Sequence, residues 1–193
     1  MKRIAVYCGS ATPADPVYIE TARMAGRTLA ERGIGVVYGG GRLGLMGAIA
    51  DSALEAGGEV IGVIPQLLVN AEVAHRGLTE LHVVETMHER KAHFTELADG
   101  FLTLPGGTGT MDELWEAMSW AQLGYHSDPV GLLNTAGFYD GLIEFVGHMG
   151  KVGFLRPQHQ GILLIDSELD GLLDKMAKFE PTVPIVKMTR EQL

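Results

Sequence analysis

Gly100-Phe101-Leu102-Thr103-Leu104-Pro105-Gly106-Gly107-Thr108-Gly109-Thr110-Met111-Asp112-Glu113 is the stretch that decides the fold. A short, mostly apolar run reaches a proline and passes through three glycines in four positions. It restarts with helical periodicity, Met111, Leu114, Trp115 and Met118 standing at i, i+3, i+4 and i+7. A buried strand, a tight glycine turn and a helix in succession form the repeating unit of an α/β sheet.

The same alternation runs outward in both directions. Strands are predicted at residues 4–8, 35–38, 60–64, 81–84, 100–104, 130–133 and 162–165. Helices are predicted at 17–31, 45–56, 87–98, 111–123, 138–149 and 169–179, with Met24, Ala25, Thr28 and Leu29 on the inner side of the first. Residues 66–80 read as irregular. Strands that are short and apolar throughout belong in a sheet covered on both faces, and strand–helix alternation implies right-handed crossovers and parallel pairing. The expectation is one domain over residues 1–193, a parallel sheet with helices on both faces. Ligands bind beyond the carboxyl ends of such strands, so the loops after Cys8, Tyr38, Ile64 and Leu104 matter most.

Bulk properties narrow the function. A net charge of −9 argues against a broad nucleic-acid or membrane surface, which needs a basic face. The single cysteine, Cys8, leaves no intrachain disulfide and no cysteine-built metal centre. The seven histidines show no metal-ligand spacing; His88 and His93 do not share a helix face. No metal and no cofactor are expected. There is no long apolar run, and Met1 leads directly into a strand pattern without a secretory signal, so a cytoplasmic protein is expected.

Two glycine loops lie between a strand and a helix. Gly39-Gly40-Gly41-Arg42-Leu43-Gly44-Leu45-Met46-Gly47 matches G-x-G-x-x-G. It follows the second strand rather than the first, and the next strand ends in Ile64-Pro65, where a dinucleotide site needs an acid for the ribose. NAD binding is therefore disfavoured. Close helix–strand packing and a phosphate or ribose loop remain open. The second loop, Pro105–Glu113, brings backbone N–H groups and a helix N-terminus to one point, with Thr108 and Thr110 as further donors. It lacks Gly-Lys-Ser/Thr, so a monophosphate suits it better than a triphosphate.

Two charged residues carry alternatives. Thr110 and Glu113 spell a capping box, in which the glutamate bonds back to its own helix end. Yet Glu113 leaves the helix away from the apolar stripe, beside the presumed phosphate. Arg90 lies in a helix opened by a second box, Thr86 to Glu89, on the same stripe as Met87, Phe94 and Leu97. A cation there needs a structural carboxylate, a ligand anion or a catalytic partner. Lys91 is ambiguous. Trp115 and Trp120 read as packing residues.

The Gly39–Gly47 run, Met87-His88-Glu89-Arg90-Lys91 and Pro105–Glu113 resemble the Lonely Guy family of cytokinin riboside 5'-monophosphate phosphoribohydrolases, often labelled "putative lysine decarboxylase". The resemblance extends from Cys8-Gly9-Ser10 to the final helix and includes Trp120–Gly124 and Pro129–Asn134. It implies a modified Rossmann-like fold, a homodimer and release of an adenine-type base from a nucleoside 5'-monophosphate, with ribose 5-phosphate as the other product. Arg90 and Glu113 would be the catalytic pair. Lys91, Gly106, Gly107, Thr108, Gly109 and Thr110 would bind substrate, joined by Gly9, Ser10, Gly40, Gly41, Met46, Glu72 and Ser119. The context of Glu72 departs from the family's more usual Pro-Arg-Glu. A decarboxylase needs a pyridoxal-phosphate lysine with a partner for the pyridinium, a constellation absent from the sequence. The rival class is a nucleotide or molybdenum-cofactor carrier of similar fold, which has no need of the Arg90/Glu113 pair.

Overall fold

The computed structural model describes residues 1–71 and 74–186. Seven strands alternate with helices: β1 (Arg3–Tyr7), α1 (Pro16–Glu31), β2 (Gly35–Tyr38), α2 (Gly44–Glu55), β3 (Val60–Pro65), α3 (Gln66–Ala71), β4 (Glu80–Val84), α4 (Met87–Leu97), β5 (Phe101–Thr103), α5 (Thr108–Leu123), β6 (Val130–Leu133), α6 (Asp140–Lys151), β7 (Leu163–Asp166) and α7 (Leu169–Ala177). All the strand pairs are parallel, in the order β4-β3-β2-β1-β5-β6-β7.

Alternation along the strands builds two cores. Ile4 and Val6 join Ala25, Leu29, Ile49 and Leu172, so α1, α2 and α7 cover one face. Ala5 and Tyr7 join Phe94, Leu114 and Met118, so α4 and α5 cover the other, with α6 laid against it through Leu142, Ile143 and Val146. The expected Rossmann-like α/β architecture is therefore present. The edge strand β4 departs from the all-apolar pattern: Glu80 and Val83 are exposed, because only one neighbour and part of one helix layer cover it.

Three elements differ from their sequence expectation. Residues 66–71 form the short helix α3 inside the stretch read as irregular. Helix α5 starts at Thr108 rather than 111, because Gly107 takes the extended N-cap position and the following three residues enter the helix. Helix α6 starts at Asp140, after a 3₁₀ turn at Thr135–Gly137 in which Ala136 has φ 51°. Within α1, Met24 faces solvent; the inner stripe is Ala22, Ala25, Gly26 and Leu29.

The sheet reverses its order at β1. From β1 the chain passes to α1 on one face, whereas from β5, its neighbour, it passes to α5 on the other. The two exits leave a crevice at the carboxyl ends of these strands. Gly9 N–H donates to Pro105 O across it at 3.1 Å. Among the described residues no helix is long and apolar enough to cross a membrane.

Small residues set the close approach of α1 to α2. A Cβ on Gly26 would collide with the carbonyl of Ile49 and the hydroxyl of Ser52. Backbone cannot rotate aside as a side chain can, so overpacking here costs about 1–3 kcal/mol, against which the better helix propensity of alanine returns at most about 1 kcal/mol. Gly26→Ala is expected to lower the urea midpoint without changing its slope; an unchanged or raised midpoint would contradict the tight crossing.

Candidate active site

The first turn of α5 opens into a cleft of about 210 Å³ lined by Gly107, Thr108, Gly109, Thr110 and Glu113 on one wall. Its N-cap is Gly107, which offers no side-chain cap. The first-turn N–H groups of a helix have no acceptor within it, so with no side-chain cap those of Thr108, Gly109 and Thr110 remain as donors at the positive end of a 16-residue helix, beside the open space at Gly107 and Gly109. Gly106 serves a different purpose. A Cβ there would strike the Thr110 side chain and the amide of Gly9, so its absence lets the loop fold flat against β1.

The second glycine loop is built differently. At the start of α2 the amides of Leu45 and Met46 both reach the carbonyl of Gly9, at 3.0 and 3.3 Å, and Gly47 N–H reaches Leu43 O at 3.2 Å. The protein itself thus uses the donors that a phosphate would need. Between the two loops, the α5 end is the one left open to an anion.

Glu113 does not close a capping box. Thr110 lies inside the helix, whose N-cap is Gly107, so the pair does not occupy the cap and N3 positions of a box. It lies instead 3.5 Å from Nη2 of Arg90, with side chains 13% and 9% exposed. Arg90 comes from α4, whose capping box does form: Glu89 N–H donates to Thr86 Oγ1 at 3.1 Å, and the Glu89 carboxylate accepts from Thr86 N–H at 3.4 Å. The guanidinium also donates through Nε to Val63 O at 3.2 Å and lies 5.4 Å from the centroid of Phe94. Of the expected apolar stripe on α4, Phe94 is buried, while Met87 is largely exposed and turns its sulfur toward Nη1 at 3.9 Å. The cation takes the inward position because three partners meet it there.

Gly39 makes room for that cation. A Cβ at this position would collide with Nη2 of Arg90. Cys8 lines the floor of the cleft. Burial, and secondarily the charge of Glu113, push its thiol far above the usual range, so it stays protonated and is no nucleophile. Among the described residues no lysine lines the cleft.

Lys91 turns the other way. Its ammonium bonds Asp112 at 2.8 Å and Glu116 at 3.2 Å, both on α5. Burial acts to lower its pKa, but these two carboxylates outweigh it and raise it, so the group remains a cation. Two adjacent residues of α4 therefore grip three acids of α5.

A model of the family described as "Possible lysine decarboxylase" matches residues 46–176. The chain is 41% identical over 192 residues to the cytokinin riboside 5'-monophosphate phosphoribohydrolase LOG of Oryza sativa subsp. japonica, covering 100% of this chain and 79% of that protein. It is 41% identical over 173 residues to the enzyme of the same name from Rhodococcoides fascians, covering 89% and 87%. The chain belongs to the Lonely Guy family. Among solved structures, the Moco carrier protein of Chlamydomonas reinhardtii matches with a TM-score of 0.69 at 20% identity, covering 91% of this chain and 95% of that one. That likeness is one of fold.

The site residues suggested by Lonely Guy motifs divide in space. Gly9, Ser10, Met46, Arg90, Gly107, Thr108, Gly109, Thr110 and Glu113 line one cleft. Gly40 and Gly41 are buried behind Gly39, and Gly106 borders an adjoining apolar hollow with Phe138 and Tyr18. Lys91 lies outside the cleft in its acid clamp, and Ser119 is exposed farther along α5. Glu72 lies outside the described residues. Gly39 and Cys8 fall within the motif segments, but neither they nor Val6 were among the expected site residues, and all three also line the cleft. Val6 and Cys8 stand at the carboxyl end of a central strand, where ligands bind; the role of Gly39 needed the position of Arg90.

Proposed function

We propose that this protein hydrolyses the N-glycosidic bond of adenine-type nucleoside 5'-monophosphates, with or without an N6 substituent, releasing free base and ribose 5-phosphate. The observation that carries this reading is the buried Arg90–Glu113 pair standing in the same cleft as the open amides of α5. The names of the curated relatives, phosphoribohydrolases acting on cytokinin riboside 5'-monophosphates, support it.

The chemistry follows from the positions. The 5'-phosphate occupies the loop of residues 106–110, held by amides and the helix end, which places C1' against Glu113. As the C1'–N9 bond lengthens, positive charge grows on the ribose and negative charge on the base. Glu113 stabilises the first and takes a proton from the attacking water; the hydroxide bonds C1', and the base leaves with its electron pair and is protonated. Arg90 holds the carboxylate in place and stabilises the departing base. Among the described residues the cleft offers no lysine from which a Schiff-base decarboxylation could begin.

Ser119 bears on assembly. It is exposed, away from its own cleft, so the substrate contact that the family resemblance implies for it requires a second copy whose α5 reaches over. A homodimer meets that need.

Base release from AMP and from its N6-isopentenyl derivative, followed by chromatography, tests the activity. Wild type is expected to release base from at least one. Glu113→Gln should lose about 10²–10⁴-fold in turnover while still binding ribose 5-phosphate. Thermal stabilisation by AMP with no base released would favour a carrier instead. Light scattering should return twice the chain mass of 20.8 kDa; a monomer at working concentration would remove the role assigned to Ser119.

A further inference from the structure

Asp51 and His75 lie outside the cleft, and no motif points to them. His75 sits in the segment that follows α3, and its ring is only 12% exposed although it lies at the surface. Both ring nitrogens are used. Nδ1 accepts the N–H of Gly77 at 3.1 Å, so the ring proton belongs to Nε2, which donates to Asp51 Oδ1 on α2 at 2.8 Å. The backbone of the same segment is laid on the second glycine loop. His75 N–H donates to Gly40 O at 2.9 Å, and Ala74 forms an isolated antiparallel bridge with Gly41.

The glycine loop is pressed from its other side. Gly40 has φ +75°, and a Cβ there would crowd Ile64 and Leu81, while one on Gly62 would meet the Cα of Gly40. The loop is therefore clamped between β3 and the strap of residues 74–77. Its first residue, Gly39, is the wall against which the Arg90 guanidinium lies.

We infer that Asp51 and His75 act together as a positioning pair that braces the strap onto the Gly39–Gly41 loop and so holds Arg90 opposite Glu113. This rests on the proposed hydrolysis for its catalytic consequence, not for its structural one. The contacts run from Asp51 through His75 to Gly40 and Gly41, and from Gly39 to Arg90. The phosphate cradle on the opposite wall lies one step beyond this chain of contacts, joined to the start of α2 through Gly9, which accepts from Leu45 and Met46 and donates to Pro105 O. Loss of the brace therefore acts first on Gly39 and the step that Arg90 assists, while phosphate binding, set one residue further away behind Gly9, changes little.

Asp51→Ala, Asp51→Asn and wild type distinguish the brace from general destabilisation. The asparagine can still accept from Nε2 through Oδ1. Hydrogen exchange followed by mass spectrometry is expected to show at least about tenfold faster exchange across residues 39–46 in Asp51→Ala, near-native protection in Asp51→Asn, and no change across residues 106–110. In turnover, Asp51→Ala should lose about tenfold or more in kcat with the Kd for ribose 5-phosphate within about twofold of wild type, and Asp51→Asn should recover most of the rate. Native protection across residues 39–46 in Asp51→Ala, or equal losses in the two variants, would overturn the inference. If wild type releases no base, the proposed hydrolysis falls, while the exchange result still decides the brace.

Discussion

A guanidinium held nine-tenths out of water is the constraint around which this molecule is arranged. Burying a cation is costly unless its charge and its donors are met. Arg90 meets this with a carbonyl from β3, the carboxylate of Glu113 from α5 and the ring of Phe94 in its own helix. These partners come from three elements, so the arrangement fixes α4 and α5 relative to each other and to the sheet. Lys91, with Asp112 and Glu116, repeats the grip one residue later on the outer side. The consequence is a carboxylate that cannot wander, held above the open end of a helix.

The two glycine loops show how similar sequences serve different ends. Both join a strand to a helix, and either qualifies as a phosphate loop by composition. At α2 the first amides bond to Gly9, and the glycines serve to let backbone and Arg90 approach. At α5 no side chain caps the helix, and Gly107 and Gly109 face open space. The two loops thus differ in where their donors are used, not in how many glycines they hold.

Much of this was legible in the chain. The strand–helix alternation gave the parallel sheet because buried strands and amphipathic helices have different periods, and Arg90 on an apolar stripe announced a partner. The rest depended on contacts between distant segments. The Thr110–Glu113 pattern spells a capping box, but Gly107 starts the helix earlier and removes the cap for it. Lys91 has the same local surroundings as Arg90, and only the position of α5 reveals that it meets Asp112 and Glu116. Gly39 is set apart by the Arg90 guanidinium that lies against it, Gly40 by its positive φ, and neither is written in a run of three glycines. Helix α3 is a single short turn-and-a-half whose sequence carries no start or stop signal.

The most direct measurement is a crystal structure of the Glu113→Gln variant with AMP. The phosphate oxygens should lie about 2.9 Å from the amides of Thr108, Gly109 and Thr110, with C1' facing the side chain at 113 and Arg90 still buried beside it. A phosphate seated at the start of α2, or a ribose turned away from residue 113, would contradict the account.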